Sequence, residues 1–116
     1  MPSDEGPLVF GDVVLVPFPF TDQTRTKRRP AVVISAAAYN REMPDVILMP
    51  ITSQLRGDVR SHDVVVEGWE RAGLLKPSAV KPLIATVERR LILRRLGRLS
   101  ADDEAMLRRA LAVLVG

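Results

Sequence analysis

The sequence predicts a mainly β protein, a small antiparallel barrel that ends in one α-helix. Short, apolar, β-branched segments bounded by turn residues fill most of the chain, and their spacing leaves little room for helices between them. Only the last segment has the 3.6-residue period of a helix. The 116 residues match the length of one domain. We therefore expect a flexible tail over residues 1–8 and a single domain over residues 9–116.

Seven segments are predicted to form strands, and none of them is separated from the next by a long helical pattern. The four clearest are VVLVPF (13–18), AVVIS (31–35), VILMPIT (46–52) and DVVVE (63–67). Three further candidates follow, SAVKP (78–82), LIATV (83–87) and ILRRLGRLS (92–100). Such short, closely spaced strands favour an antiparallel barrel over units in which strands alternate with helices.

The C-terminal segment carries the signals of a helix start. Ser100 is a suitable N-cap, and three acidic residues follow it at positions 102–104, where they complement the helix dipole. Apolar residues then recur at helical spacing up to Val115. We predict one amphipathic helix over residues 101–115 that packs on the barrel.

Composition excludes several kinds of site. The chain has no cysteine and one histidine, His62, so thiolate metal sites, a Cys nucleophile and multi-His metal sites are ruled out. The N-terminus does not resemble a signal peptide, and no apolar run approaches the roughly 18 residues of a membrane span. We expect a cytoplasmic protein without a membrane, metal or cofactor partner.

Positive charge is concentrated in two places. The net charge is only +3, but 14 of the 17 cations are arginine, whose planar fork suits phosphate and carboxylate groups. One cluster spans residues 25–29, and between Lys81 and Arg98 six cations accompany a single acid, Glu88. This segregation fits a polyanionic partner, although a solvated surface gives the same pattern.

Two short motifs could carry chemistry. Arg29 precedes Pro30, which restricts the backbone and places the arginine at a rigid strand entrance, next to a long loop over residues 19–27. Thr52 ends the third predicted strand and begins a Thr-Ser-Gln run. A charge that protects an aggregation-prone strand, or an ordinary strand-end threonine, explains each motif separately. His62 could act as a base, but it precedes an apolar strand and fits a surface role better.

Together, these motifs resemble the MazF/PemK family of toxin–antitoxin ribonucleases. The matching pieces are GDVVLVPF (11–18), RRPAVVIS (28–35), VILMPITSQ (46–54) and LGRLSADDEAMLRRALAVLVG (96–116). The resemblance implies an SH3-like barrel with a C-terminal helix that forms a homodimer. It also implies a metal-independent endoribonuclease that cuts single-stranded RNA at short sequences. The implied partner is an antitoxin with an acidic, disordered tail.

The same resemblance assigns roles to individual residues. Arg29 and Thr52 fall on the family's catalytic positions. For a ribonuclease of this kind, the residues that we expect to bind RNA are Thr24, Arg25, Lys27, Arg28, Ser53, Gln54 and Arg56. Thr52 is expected to lie close to Arg29 across the sheet.

The sequence departs from the family pattern in two places. Thr24 replaces a loop glutamate, with Asp22 as the nearest carboxylate, and Pro82-Leu83 replaces a polar pair. Both changes concern the implied RNA-facing surface. Two alternatives therefore stay open. One is a non-catalytic toxin of the same fold that poisons a topoisomerase by protein contact, as the related CcdB toxins do, and the other is an inactive antitoxin-binding dimer.

Overall fold

A computed structural model describes residues 6–18, 27–55 and 62–116. Within these residues the chain forms a curled antiparallel sheet with a C-terminal helix, which confirms the predicted mainly β fold. The strands are β1 (Asp12–Phe18), β2 (Lys27–Val33), β3 (Asp45–Thr52), β4 (Val64–Val66), β5 (Ser78–Val80), β6 (Ala85–Glu88) and β7 (Arg94–Arg98). The helices are α1 (Ala37–Glu42) and α2 (Ala101–Val115), and a 3-10 helix spans Arg89–Leu91.

The sheet runs in the order β4-β5-β3-β2-β1-β7, with every described pair antiparallel. Strand β3 holds the sheet together because it has partners along both edges. One edge pairs with β2, while the other pairs with β6 near the start of β3 and with β5 at its end. The end of β3 therefore lies between β2 and β5, where Thr52 emerges.

Alternation along the strands divides the core into two clusters, one on each face of the sheet. Val13, Val32, Met49 and Ile51 face one way and pack with Leu107 of α2. Their sequence neighbours face the other way into a second cluster, which contains Val14, Val16, Ala31, Val33, Val46, Leu48 and Leu8. The continuous apolar runs of the sequence follow from this, since the central strands are buried on both faces.

Helix α2 begins as its sequence predicts and is fixed by one buried carboxylate. The Ser100 side chain accepts a hydrogen bond from the backbone N–H of Asp103. Asp103 is itself 2 % exposed, and its two oxygens accept the backbone N–H groups of Glu67 (3.1 Å) and Gly68 (2.8 Å). The helix is thereby joined to the turn that follows β4. Within the described residues, no helix has the length and apolarity to cross a membrane.

Several predicted boundaries were wrong. Strand β2 begins at Lys27 rather than Ala31, so Arg29 and Pro30 lie inside the strand. Proline is tolerated there because pairing with β3 starts only at Ala31, which leaves that edge of β2 unpaired at Pro30. Helix α1 was not predicted, since it has only six residues and its N-cap position, Ala36, provides no capping side chain. Leu8, which the sequence assigns to the tail, is buried in the second cluster.

Candidate active site

A groove of about 350 Å³ crosses the sheet at the ends of β2 and β3. Its floor is a row of side chains from adjacent strands, Leu15, Pro30 and Ile51, with Arg94 at the end of the row. Leu15 pairs with Pro30 on one side and with Arg94 on the other. Cross-strand partners project to the same face of a sheet, so these side chains line one continuous surface.

A β-bulge determines that Arg94 belongs to this row. Val13 pairs with Gly97, but the next residue, Val14, pairs with Arg95, so Leu96 is an additional residue in β7. Without the bulge, Arg95 would face Leu15, since a one-residue shift exchanges the two faces of a strand.

The wall opposite β2 is the turn over residues 73–76, which packs closely on the bulged strand. Gly73 has φ +81°, and a Cβ atom there would lie 2.1 Å from the carbonyl oxygen of Leu96. A Cβ atom on Gly97 would lie 2.5 Å from the carbonyl carbon of Ala72. The two glycines thus permit the contact that forms this side of the groove.

Arg29 is one of the residues that line the groove, and it is half-buried. Its Nε atom is buried, and no acceptor in residues 6–18, 27–55 or 62–116 bonds to it. A buried polar atom without a partner costs about 1–3 kcal/mol, and more when it is charged. Such an atom in a groove is typical of a site that binds a ligand.

Thr52 ends β3 and lines the groove together with Arg29. The observed pairing of β2 with β3 ends at Ala31 and Pro50, so each of the two residues lies two positions beyond the last paired residue of its strand. The Thr52 hydroxyl accepts the backbone N–H of Gln54 at 3.1 Å. This bond occupies a lone pair and leaves the hydroxyl proton free to donate toward the groove.

The electrostatics of the groove favour an anion. Four cations line it, Arg28, Arg29, Lys76 and Arg94, and no described lining residue is acidic. None of the four forms an ion pair within the described part of the chain. The hydroxyl and amide groups of residues 52–54 add neutral hydrogen-bond donors beside these charges.

The structure brings together five of the residues implied to function in RNA cleavage or binding: Arg28, Arg29, Thr52, Ser53 and Gln54 all line the groove. Lys27 is exposed on β2 and does not line it.

The remaining candidates are four residues that the structure does not describe and one histidine. Thr24, Arg25, Arg56 and the neighbouring Asp22 fall outside the described residues. His62 is exposed and does not line the groove.

Sequence reasoning missed Lys76 and Arg94 as groove residues. Arg94 was visible only as one member of the basic cluster between Lys81 and Arg98, and the bulge that selects it leaves no clear signal in the sequence. Lys76 follows Leu74 and Leu75 in a turn that reaches the groove only through tertiary packing. An apolar pair next to a lone lysine was the only local signal.

Comparison with known proteins gives a consistent result. A family model described as "PemK-like, MazF-like toxin of type II toxin-antitoxin system" matches residues 10–115. No curated protein matches the chain significantly. Among solved structures, a MazE–MazF complex from Deinococcus radiodurans matches with a TM-score of 0.75 and 26% identity, over 94% of this chain and 96% of that one.

Two mycobacterial structures match at lower identity. The Mycobacterium tuberculosis toxin MazF-mt6 has a TM-score of 0.72 and 23% identity, over 89% of this chain and 94% of that one. An endoribonuclease in complex with its cognate antitoxin, from a mycobacterial species, has a TM-score of 0.66 and 18% identity, over 97% of this chain and 96% of that one. At these identities the two structures support the fold alone.

Proposed function

Because the chain belongs to the PemK-like, MazF-like toxins of type II toxin–antitoxin systems, we propose that its groove cleaves single-stranded RNA. The observation that carries the proposal is the buried Nε of Arg29, which has no partner in the described residues and lies in a groove without described acidic groups. A phosphodiester supplies the missing acceptor oxygens and the missing negative charge. Arginine binds such a group through two parallel hydrogen bonds.

The chemistry proposed for this site uses the ribose as the nucleophile. The 2′-oxygen attacks the adjacent phosphorus, and the bond from phosphorus to the 5′-oxygen breaks. The 2′-hydroxyl loses its proton to water, and the departing 5′-oxygen takes a proton from water. The products are a 2′,3′-cyclic phosphate and a 5′-hydroxyl, and no metal takes part.

Arg29 and Thr52 have separate roles in this step. Negative charge builds on the non-bridging phosphoryl oxygens as the fifth bond to phosphorus forms. The Arg29 guanidinium neutralises that charge, and the Thr52 hydroxyl donates a hydrogen bond to it. Both groups are held by paired strands, which keeps them oriented before the substrate binds.

The neighbouring residues hold the RNA in place. Arg28 contacts a flanking phosphate, while Ser53 and Gln54 provide donors and acceptors at the strand end. Lys27, Thr24, Arg25 and Arg56 complete the proposed RNA-binding set.

We also propose two protein partners for this chain in the cytoplasm. One is a cognate antitoxin, since one related mycobacterial structure is an endoribonuclease in complex with its cognate antitoxin and the Deinococcus structure is a MazE–MazF complex. Carboxylates of an acidic antitoxin tail would satisfy the same arginines that the RNA phosphates use. The other partner is a second copy of the chain, in a homodimer.

The experiment that tests the function is cleavage of a long, mixed-sequence RNA by purified, antitoxin-free protein in EDTA. We expect cuts at defined sequences with cyclic-phosphate ends, and no cutting of a DNA of the same sequence, since DNA lacks the 2′-hydroxyl. Arg29→Ala and Thr52→Ala should each cleave more slowly than the wild type, with the larger loss at Arg29. Arg109→Ala is the matched control, because Arg109 is exposed on α2 and does not line the groove. An intact RNA after incubation with the wild-type protein would contradict the proposal and favour a non-catalytic toxin.

A further inference from the structure

A second basic depression adjoins the groove and has no role in the proposed cleavage step. This basin has a volume of about 700 Å³ and is lined by residues 6–8, 40–41, 89 and 92–95. Four arginines line it, Arg41, Arg89, Arg94 and Arg95, and no acidic residue is among its described lining residues.

Two of these arginines are already engaged by the protein. Arg89 donates to the backbone carbonyl oxygens of Asn40 and of Met43, the latter at 2.7 Å, and thereby satisfies the end of α1. Arg95 donates to the carbonyl oxygen of Gly6 and lies 3.6 Å from a carboxylate oxygen of Asp12. These two side chains shape the basin.

The other two arginines are available to a ligand. Arg41 and Arg94 are both exposed, and neither forms a hydrogen bond or an ion pair through its side chain in the described part of the chain. Two unpaired guanidinium groups on the rim of one concave surface favour an anion with more than one charged group.

Arg94 lines both the basin and the groove. Within the sheet it is separated from Pro30 by one strand only, since Leu15 pairs with both residues. Two strand spacings amount to roughly 10 Å between their Cα atoms. Arg94 is thus placed to contact a strand that leaves the groove, and the basin that it also lines contains Arg41.

We propose that the basin is an extension of the RNA-binding track, in which Arg94 and Arg41 bind phosphates of the same strand beyond the cleaved linkage. The inference rests on the proposed function, because it takes RNA as the ligand of the groove. Leu93, which is 49% exposed and also lines the basin, provides an apolar surface for a base. The site is a backbone-binding surface, and it extends the length of RNA that the protein holds.

The test compares a short with a long RNA. Both carry a 2′-deoxy substitution at the cleaved nucleotide, so that binding is measured without cleavage. One spans the groove alone, with about four nucleotides, and the other has about twelve. Arg41→Ala should weaken binding of the long RNA by about two- to five-fold, and more than it weakens binding of the short RNA. It should also reduce the slope of log affinity against log salt by about 0.7 for the long RNA.

The control variant is Arg109→Ala, which removes an exposed arginine that lines neither surface and should leave both affinities unchanged. Size-exclusion chromatography with light scattering accompanies the binding measurements. Equal effects of Arg41→Ala on the two RNAs would overturn the proposal. A change in the oligomeric state of Arg41→Ala would also overturn it, because the basin would then be a contact between copies of the chain. If Arg41→Ala lost antitoxin binding but kept RNA binding, the proposal would be overturned as well.

The outcomes separate this inference from the proposed function. Suppose that the wild-type protein cleaves RNA and that the Arg41→Ala variant binds both RNAs with wild-type affinity. The proposed function then stands, and only the proposal about the basin is overturned. If the wild-type protein does not cleave but binds the long RNA with an Arg41-dependent salt slope, the proposed function fails and the basin assignment stands.

Discussion

Two groups of arginines in this molecule have opposite surroundings. At one end of the sheet, a guanidinium nitrogen of Arg98 lies 3.1 Å from a carboxylate oxygen of Asp12. A guanidinium nitrogen of Arg108 lies 3.0 Å from a carboxylate oxygen of Glu104, so each cation has a carboxylate partner. At the groove, Arg28 and Arg29 have no carboxylate partner among the described residues. The same residue type thus serves two purposes: the paired arginines connect elements of the fold, while the unpaired ones are left for a ligand.

The paired group also illustrates how arginine contributes through more than its charge. The Arg108 guanidinium lies 3.8 Å from the centre of the Phe10 ring and covers part of the core cluster that contains Phe10. Stacking of this kind is favourable in addition to the ion pair. Function should therefore be sensitive to the groove arginines, and stability to the paired ones.

Replacement of Arg29 should have the largest effect on activity. Arg29→Ala is expected to lower the single-turnover rate of RNA cleavage by about 10²–10³-fold, since one preorganised donor to the developing charge is lost. Arg29→Lys keeps the charge but loses the planar fork, and its rate should lie between those of Arg29→Ala and the wild type. The midpoint temperature of thermal unfolding should stay at or above that of the wild type, because a buried Nε atom without a partner among the described residues is removed. An equal rate loss in Arg98→Ala, measured under the same conditions, would erase the distinction between the two groups.

Replacement of Asp12 should have the converse effect. Asp12 is buried and accepts the backbone N–H of Val9 at 2.9 Å in addition to its contacts with Arg95 and Arg98. Asp12→Ala should lower the free energy of unfolding by about 2–3 kcal/mol, as measured with urea. Glu70→Ala, which removes an exposed carboxylate in a turn, should change it by less than about 0.5 kcal/mol. A destabilisation of similar size in both variants would show that the ion pairs of Asp12 contribute nothing specific.

Gly73 tests the contact that joins the groove wall to the bulged strand. Gly73→Ala is expected to destabilise the protein by about 1–3 kcal/mol, because the new Cβ meets the Leu96 carbonyl in a left-handed backbone conformation. RNA binding should weaken as well, since the turn over residues 73–76 moves. Gly6→Ala isolates the backbone contribution: Gly6 has φ +79°, but no described atom lies within 4 Å of the place that a Cβ would take there. An equal loss in the free energy of unfolding for Gly73→Ala and Gly6→Ala would show that close packing at Gly73 is unimportant.

The smallest of these effects is expected at Thr52. Thr52→Val keeps the shape and removes the hydroxyl, so the cleavage rate should fall by about ten-fold, the equivalent of one neutral hydrogen bond. Thr52→Ser keeps the hydroxyl and should cleave within about three-fold of the wild type, by the same energy scale. The single-turnover rates of the two variants show whether the hydroxyl group or the shape of Thr52 matters. A serine variant as slow as the valine variant would assign the role of Thr52 to packing.

Much of the fold follows directly from local sequence patterns. The helix over residues 101–115 was predicted with its observed bounds, because Ser100 and the acidic first turn mark its start. Strand β3 was predicted to within one residue, since its apolar run continues up to the polar residues at 53–54. Helix α1 and the early start of β2 depend on tertiary pairing and were missed.

The candidate site was predictable only in part. Arg29 and Thr52 could be named because a family resemblance identified them, and both residues line the groove. Arg94 could not be distinguished from Arg95, since their positions on the two faces depend on the Leu96 bulge. Local sequence patterns alone do not reveal where a bulge interrupts an edge strand.

The most direct test of the groove as the RNA site follows the arginine Nε–H signals by NMR while an uncleavable, 2′-deoxy-substituted RNA is added. A bound phosphate should shift the Arg29 Nε–H signal and slow its exchange with water, because the group gains an acceptor that none of the described residues provides. The Arg98 and Arg108 signals should stay in place, since their carboxylate partners are unchanged. Shifts at Arg98 and Arg108 with an unperturbed Arg29 signal would contradict the assignment of the groove as the RNA site.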